Sequence, residues 1–235
     1  MTEAAGQRRA IRREALGIAV AAGVYAVSFG VISVVSGLTP LQTCLLSLVM
    51  FTGGSQFAFV GVIGSGGLAY SGVAAALLLG ARNGLYGVRL APILQTRGLR
   101  RLAAAHFVID ETTAMAIRHD RDENSRAAFW TTGIALFVLW NLGTAVGALA
   151  GPVIGDPETY GLDSAIPAAF VALLWPQLPD LASRLTAVLA VGLTVVLVPV
   201  VPIGVPVLAA GLVAVAAALL ERAGPADRSA VRGGS

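Results

Sequence analysis

Three polar groups interrupt the apolar runs of this chain, and their residue types suit recognition of a small charged molecule. The first is Gly53, Gly54, Ser55 and Gln56, followed by Phe57, in "FTGGSQFAFV". Two adjacent glycines weaken a helix by about 1 kcal/mol each relative to alanine, and they let the backbone leave helical geometry or approach another group closely. Freed N–H groups at the start of a resumed helix, beside the Ser55 hydroxyl and the Gln56 amide, would receive a carboxylate. The same residues would equally serve a helix crossing in which small side chains let two helices pack tightly.

The second group lies in "LLLGARNGLYGVRLAP", residues 77–92, where Arg82, Tyr86 and Arg89 recur at intervals of four and three and so share one helix face, with Asn83 on the neighbouring face. An arginine at the centre of a membrane helix costs roughly 2.5 to 3.5 kcal/mol on insertion scales, so Arg82 is expected to face the bundle interior, paired with an acid, an anionic substrate or helix-end carbonyls. Arg89, close to the end of its segment, can instead snorkel to the interface. The third group is "HFVIDETTAMAI", residues 106–117, whose spacing puts His106, Asp110 and Thr113 on one helical face, with Glu111 turned about a third of the way round. Asp110 and Glu111 suit pairing with Arg82, holding an ammonium, or taking up a proton; the alternative is a helix at the membrane surface with both acids in water. A metal at His106 and Asp110 lacks a third ligand nearby, and the other histidine, His119, sits in a charged loop, so neither metal nor cofactor is expected.

The elements that must position these groups are membrane helices. Of 235 residues 56% are hydrophobic and 12% charged, with a mean hydropathy of +0.80, far from soluble averages. Apolar runs near the roughly 20 residues that span hydrocarbon occur at about 15–36, 41–63, 68–94, 127–150, 184–200 and 203–220, with shorter or more polar candidates at 102–117 and 163–177. These Ala, Leu, Val and Gly runs do not alternate, so helices are the remaining way to satisfy the backbone in lipid. The fold class is all-α, a polytopic integral membrane bundle of six to eight spans. A basic segment at 1–14, with Arg8, Arg9, Arg12 and Arg13, precedes a transport domain at 15–220, and a polar tail expected to be disordered follows at 221–235.

The arginine cluster places the N-terminus in the cytoplasm under the positive-inside rule. An eight-span count puts "RHDRDENSR" (118–126) inside as well, but it puts "QTRGLRR" (95–101) outside, against that rule. Either 41–63 or 102–117 then enters and leaves on the same side. Cys44 is the single cysteine, which excludes an intramolecular disulfide.

A shift of about 112 residues sets Pro40 on Pro152, Ser71 on Ser183 and Gly80 on Gly192, and a shift of 111 sets "FAFV" (57–60) on "AAFV" (168–171). The alignment suits either a duplication, with repeats at 15–117 and 127–220, or chance identity in so Ala- and Val-rich a chain. Under duplication the second interrupted segment is "SAIPAAFVALLWP", with Pro167 and Pro176. Interrupted segments in corresponding positions of two halves point to a transport site.

"FTGGSQFAFV", "ARNGLYGVRLAP" and "HFVIDETTAMA", in this order, resemble the AzlC family of branched-chain amino-acid permeases, the larger subunit of two-component exporters. The resemblance implies efflux of valine, leucine, isoleucine and methionine in complex with a small AzlD-like membrane subunit of about four spans. Many relatives carry Asn-Leu-Arg-His where this chain reads "GARN", so Arg82 is kept while its flanking polar positions differ.

The function expected is therefore secondary transport in the cytoplasmic membrane. The substrate carboxylate meets the N–H groups around Gly53 to Gln56 and Arg82, its ammonium meets Asp110 or Glu111, and its side chain rests against Phe57 and Phe59. A chain without lysine has no P-loop, so energy must come from a gradient or a partner. No nucleophile stands with a base, so an enzyme is not expected, and no nucleic-acid partner is expected. A passive channel or a scaffold subunit is the alternative class.

Overall fold

The computed structural model describes residues 2–119, 121–154, 178, 180–201, 206, 209–213 and 216–217. Eight helices are traced within them: α1 (Thr2–Val35), α2 (Pro40–Val49), α3 (Gly53–Gly64), α4 (Ala69–Leu94), α5 (Leu99–His106), α6 (Asp110–Ile117), α7 (Asp122–Ile154) and α8 (Leu181–Leu197). No strand occurs among the described residues. The expected second interrupted segment, the candidate span at 163–177 and the tail at 221–235 lie outside them.

Segments Ala5–Val35 and Asp122–Gly151 are long and apolar enough to cross a membrane. Leu16, Val20 and Val24 on α1, and Val138, Leu142 and Val146 on α7, are exposed at intervals of four. Each set makes a one-sided apolar stripe, as a lipid-facing surface requires. The opposite faces of the two helices meet at glycine. A methyl group built on Gly147 would lie 2.0 Å from the Val27 carbonyl oxygen, one on Gly143 would lie 2.1 Å from that of Gly23, and one on Gly30 would lie 2.2 Å from that of Thr144. The backbones therefore touch, in the small-residue packing that drives helix association in lipid. Along the crossing Gly23 meets Leu139 and Val34 meets Gly151, so α1 and α7 run parallel. Ion pairs Arg8–Glu123 and Glu14–Arg118 flank the end at which both begin, here the near end.

From the far end the chain re-enters. Thr39 opens α2 with a reciprocal cap: the Gln42 N–H donates to Thr39 Oγ1 at 3.2 Å, and the Thr39 N–H donates to Gln42 Oε1 at 2.8 Å. Pro40 follows at the first helical position, where its missing N–H loses nothing. After ten residues α2 stops, the chain turns through Met50, Phe51 and Thr52, and α3 runs back until Gly64 packs on Ser36 at the end of α1. Thus 41–63 is a re-entrant pair of half-length helices. The break precedes the glycines, which form the first turn of α3.

Helix α4 then descends antiparallel to α3, with Gly72 against Phe59 and Gly80 against Ser55. Its last turn reaches the near end, where Arg126 Nε donates to the Ile93 carbonyl at 2.7 Å. The arginine-rich segment 95–101 therefore lies at the same end as the N-terminal arginines, which removes the conflict raised by the eight-span count. Helix α5 rises to the middle, and α6 returns until Met115 packs with Ile11 and Ala128. Both suspected segments enter and leave on one side, from opposite ends. Their tips meet mid-bundle: the Phe51 ring lies 5.9 Å from Phe107, 5.9 Å from His106 and 5.0 Å from Phe137.

Candidate functional site

Two half-helices begin at this junction. The N–H groups of Gly53, Gly54 and Ser55 have no acceptor one turn back, and the Thr52 side chain does not cap them. Opposite, Asp110 and Glu111 occupy the first turn of α6, where carboxylates complement the positive helix end. The Thr112 hydroxyl stabilises that start by accepting from the Ile109 N–H at 3.1 Å and donating to the Phe107 carbonyl at 2.6 Å.

Arg82 on α4 joins the two starts. Its Nη2 lies 2.6 Å from Asp110 Oδ2, and its side chain is 34% exposed against 35% for Asp110, so the ion pair is only partly enclosed. A methyl group built on Gly54 would lie 3.3 Å from the same nitrogen, which shows how closely the guanidinium approaches the start of α3. Tyr86, one turn further along α4, lies beside Asp110, and Glu111 stands within electrostatic reach of both Asp110 and Arg82.

On α3, α4 and α6, Ser55 Oγ, Arg82 Nε, Asn83 Oδ1 and Thr113 Oγ1 are buried without a hydrogen-bond partner among the described residues. Native interiors satisfy nearly all such groups, so unpartnered atoms on the residues that carry the ion pair and the start of α3 are available to a polar ligand.

The other residues singled out in the sequence sit close by in different settings. Gln56 is fully buried, its Oε1 accepting from Trp140 Nε1 at 3.0 Å and its Nε2 donating to the Leu46 carbonyl at 3.5 Å. It thereby ties α3 to α7 and α2. Phe57 is buried between Tyr25 and Phe29, each ring centroid 5.2 Å away. His106 closes α5 in the aromatic cluster at the tips. Since the chain breaks between His106 and Asp110, the shared helical face expected of His106, Asp110 and Thr113 does not form. Arg89 is exposed, as snorkelling requires. The spacing argument missed Trp140; a donor-only indole deep in an apolar helix, which needs an acceptor from another segment, was the available signal.

The family model described as AzlC protein matches residues 17–154, which hold both re-entrant pairs, Arg82 and both acids. The chain belongs to the AzlC family. It is 32% identical over 157 residues to an uncharacterized membrane protein of Archaeoglobus fulgidus, covering 65% of this chain and 68% of that one. It is 26% identical over 177 residues to the inner membrane protein YgaZ of Escherichia coli, covering 69% of each. No solved structure matches it. This AzlC protein is thus a membrane transport-related protein, and the mid-bundle junction is its candidate substrate site.

Proposed function

We propose that this chain is the large subunit of a secondary exporter of branched-chain amino acids, taking valine, leucine and isoleucine, and methionine as well. One observation carries the reading: an arginine and an aspartate paired at 2.6 Å, mid-bundle, beside an uncapped helix start. A zwitterion fits such a pair without adding net charge. Its carboxylate takes Arg82 and the N–H groups of Gly53, Gly54 and Ser55, while its ammonium takes Asp110. A buried charge left without a partner is strongly disfavoured, so a ligand lacking either charge binds poorly. Arg82 neutralises one of two adjacent carboxylates, and Glu111 is the surplus one. It is the group suited to carry a proton or share the ammonium during transport. The alanine- and leucine-rich helices around the site favour an apolar side chain, while Phe57, expected to touch the substrate, is packed between Tyr25 and Phe29.

In this reading the near end, which gathers Arg8, Arg9, Arg12, Arg13, Arg97, Arg100 and Arg101, faces the cytoplasm. The working unit includes a small AzlD-like membrane subunit, and the transport domain occupies 15–220 as two repeats. The test is counterflow in vesicles containing both subunits: preloaded leucine should drive labelled valine inward against its gradient. Absence of counterflow with retained downhill flux would make the chain a channel, and absence of both would make it a scaffold. Measuring intracellular branched-chain amino acids after dipeptide feeding, with and without the pair of subunits, fixes direction.

A further inference from the structure

We infer that Leu79 sets the size of the side chain the site accepts. The inference rests on the zwitterion reading and goes beyond it by naming the discriminating residue. A methyl group built on Gly54 would lie 3.3 Å from Leu79 Cδ2 and 3.3 Å from Arg82 Nη2. The tip of the leucine and the guanidinium therefore flank one point at the start of α3, no further from each other than twice that distance. An amino acid carries its side chain one atom away from its carboxylate carbon. With the carboxylate held beside this point by Arg82 and the α3 N–H groups, the first carbons of the side chain come into van der Waals contact with Leu79.

Leu79 is placed to act as a fixed wall. It lies three residues before Arg82, on the adjoining turn of the same helix face, and it packs on Ala58, Val62 and Ala75 between α3 and α4. Backed by these buried residues, it has little freedom to withdraw before a bulkier ligand. The next residue, Gly80, faces the buried Ser55 hydroxyl; a methyl group there would lie 3.2 Å from Ser55 Oγ. The site thus has an apolar wall at Leu79 and a buried, unpartnered hydroxyl at Ser55, on either side of the anchoring arginine. Such walls discriminate by about ten- to two-hundredfold per methylene.

The test is competition counterflow with the complete two-subunit assembly, labelled leucine as reporter, and unlabelled alanine, valine, leucine and phenylalanine as competitors. Leu79→Ala should improve phenylalanine relative to valine by roughly tenfold, through loss of a wall contact of about that size. Leu79→Phe should weaken leucine relative to alanine by a similar factor. Leu79→Met, which conserves volume, should leave the ratios near those of the unchanged protein and guards against misfolding. The ratios are independent of how much protein inserts. Unchanged ratios in Leu79→Ala and Leu79→Phe, or equal weakening of all four competitors, would overturn the role of Leu79 while leaving the transport reading standing. Absence of any counterflow in the unchanged protein would overturn both.

Discussion

Trp140 on α7 donates its indole N–H to the Gln56 side chain at 3.0 Å, joining residues 84 positions apart in a fully buried contact. The bond fixes the start of α3 against the long α7, and with it the N–H groups proposed to meet the substrate. In Trp140→Phe the Gln56 carbonyl oxygen stays buried without a donor, which costs about 1 to 3 kcal/mol. The purified variant should melt several degrees lower and export more slowly. Gln56→Met combined with Trp140→Phe should recover part of the melting temperature, since neither polar group then remains, but not the transport rate.

Arg82 and Asp110 should behave as partners. Arg82→Gln and Asp110→Asn each leave the other charge facing an apolar bundle, so each should abolish export and lower membrane abundance severalfold. The double variant should regain abundance without regaining export. Quantitative blotting decides the matter: losses that merely add would dissolve the pairing.

Gly54→Leu should insert and fold yet fail to transport, because its side chain would occupy the space between Leu79 and Arg82 where the ligand carboxylate is proposed to sit. Gly54→Ala should lower affinity more than maximal rate. Normal export by a well-expressed Gly54→Leu protein would remove the start of α3 from the mechanism.

The two re-entrant pairs make a topology prediction. In a Cys44→Ser background, single cysteines at Ser36 and Ser65 should react with a membrane-impermeant thiol reagent from one side. Cysteines at Arg97 and Arg118 should react from the opposite side, together with one at Arg9. Opposite labelling of positions 36 and 65 would turn α2 and α3 into a single crossing.

At the α1–α7 crossing, Gly147→Ala should lower abundance and melting temperature, since even one methyl group would meet the Val27 carbonyl at 2.0 Å. Overpacking typically costs 1 to 3 kcal/mol. Gly192→Ala on α8, where a methyl group meets nothing within 4 Å, is the matched control and should be neutral.

The Arg82–Asp110 pair was legible in the sequence as one of three options: an arginine inside an apolar helix needs an acid, an anionic ligand or helix-end carbonyls, and Asp110 and Glu111 were the acids within an apolar segment. The arginines at 95–101 also signalled re-entry, since no simple alternation of spans placed them with the other basic residues. The form of re-entry was hidden. The run at 41–63 has the length and composition of one span, and the turn at its centre is made by Met50, Phe51 and Thr52, whose side chains carry no turn signature. The pairing of Trp140 with Gln56, and the choice of Leu79 as neighbour to Arg82 at the start of α3, depend on how three helices meet, which no local pattern encodes.

The glycine contact between α1 and α7 bears on how the protein moves. Helices whose main chains interlock within carbonyl distance have no side-chain layer to shear through, so a sliding step would drive backbone into backbone. In the proposed transport cycle the two long parallel helices would therefore act as a stator. A switch in which end of the site is open would fall, in that cycle, to the half-length pairs, α2 with α3 and α5 with α6, each hinged at a three-residue turn and meeting the other around Phe51, His106, Phe107 and Ile109. Access to either face of the bilayer would then be governed by two short arms working against a frame that stays still.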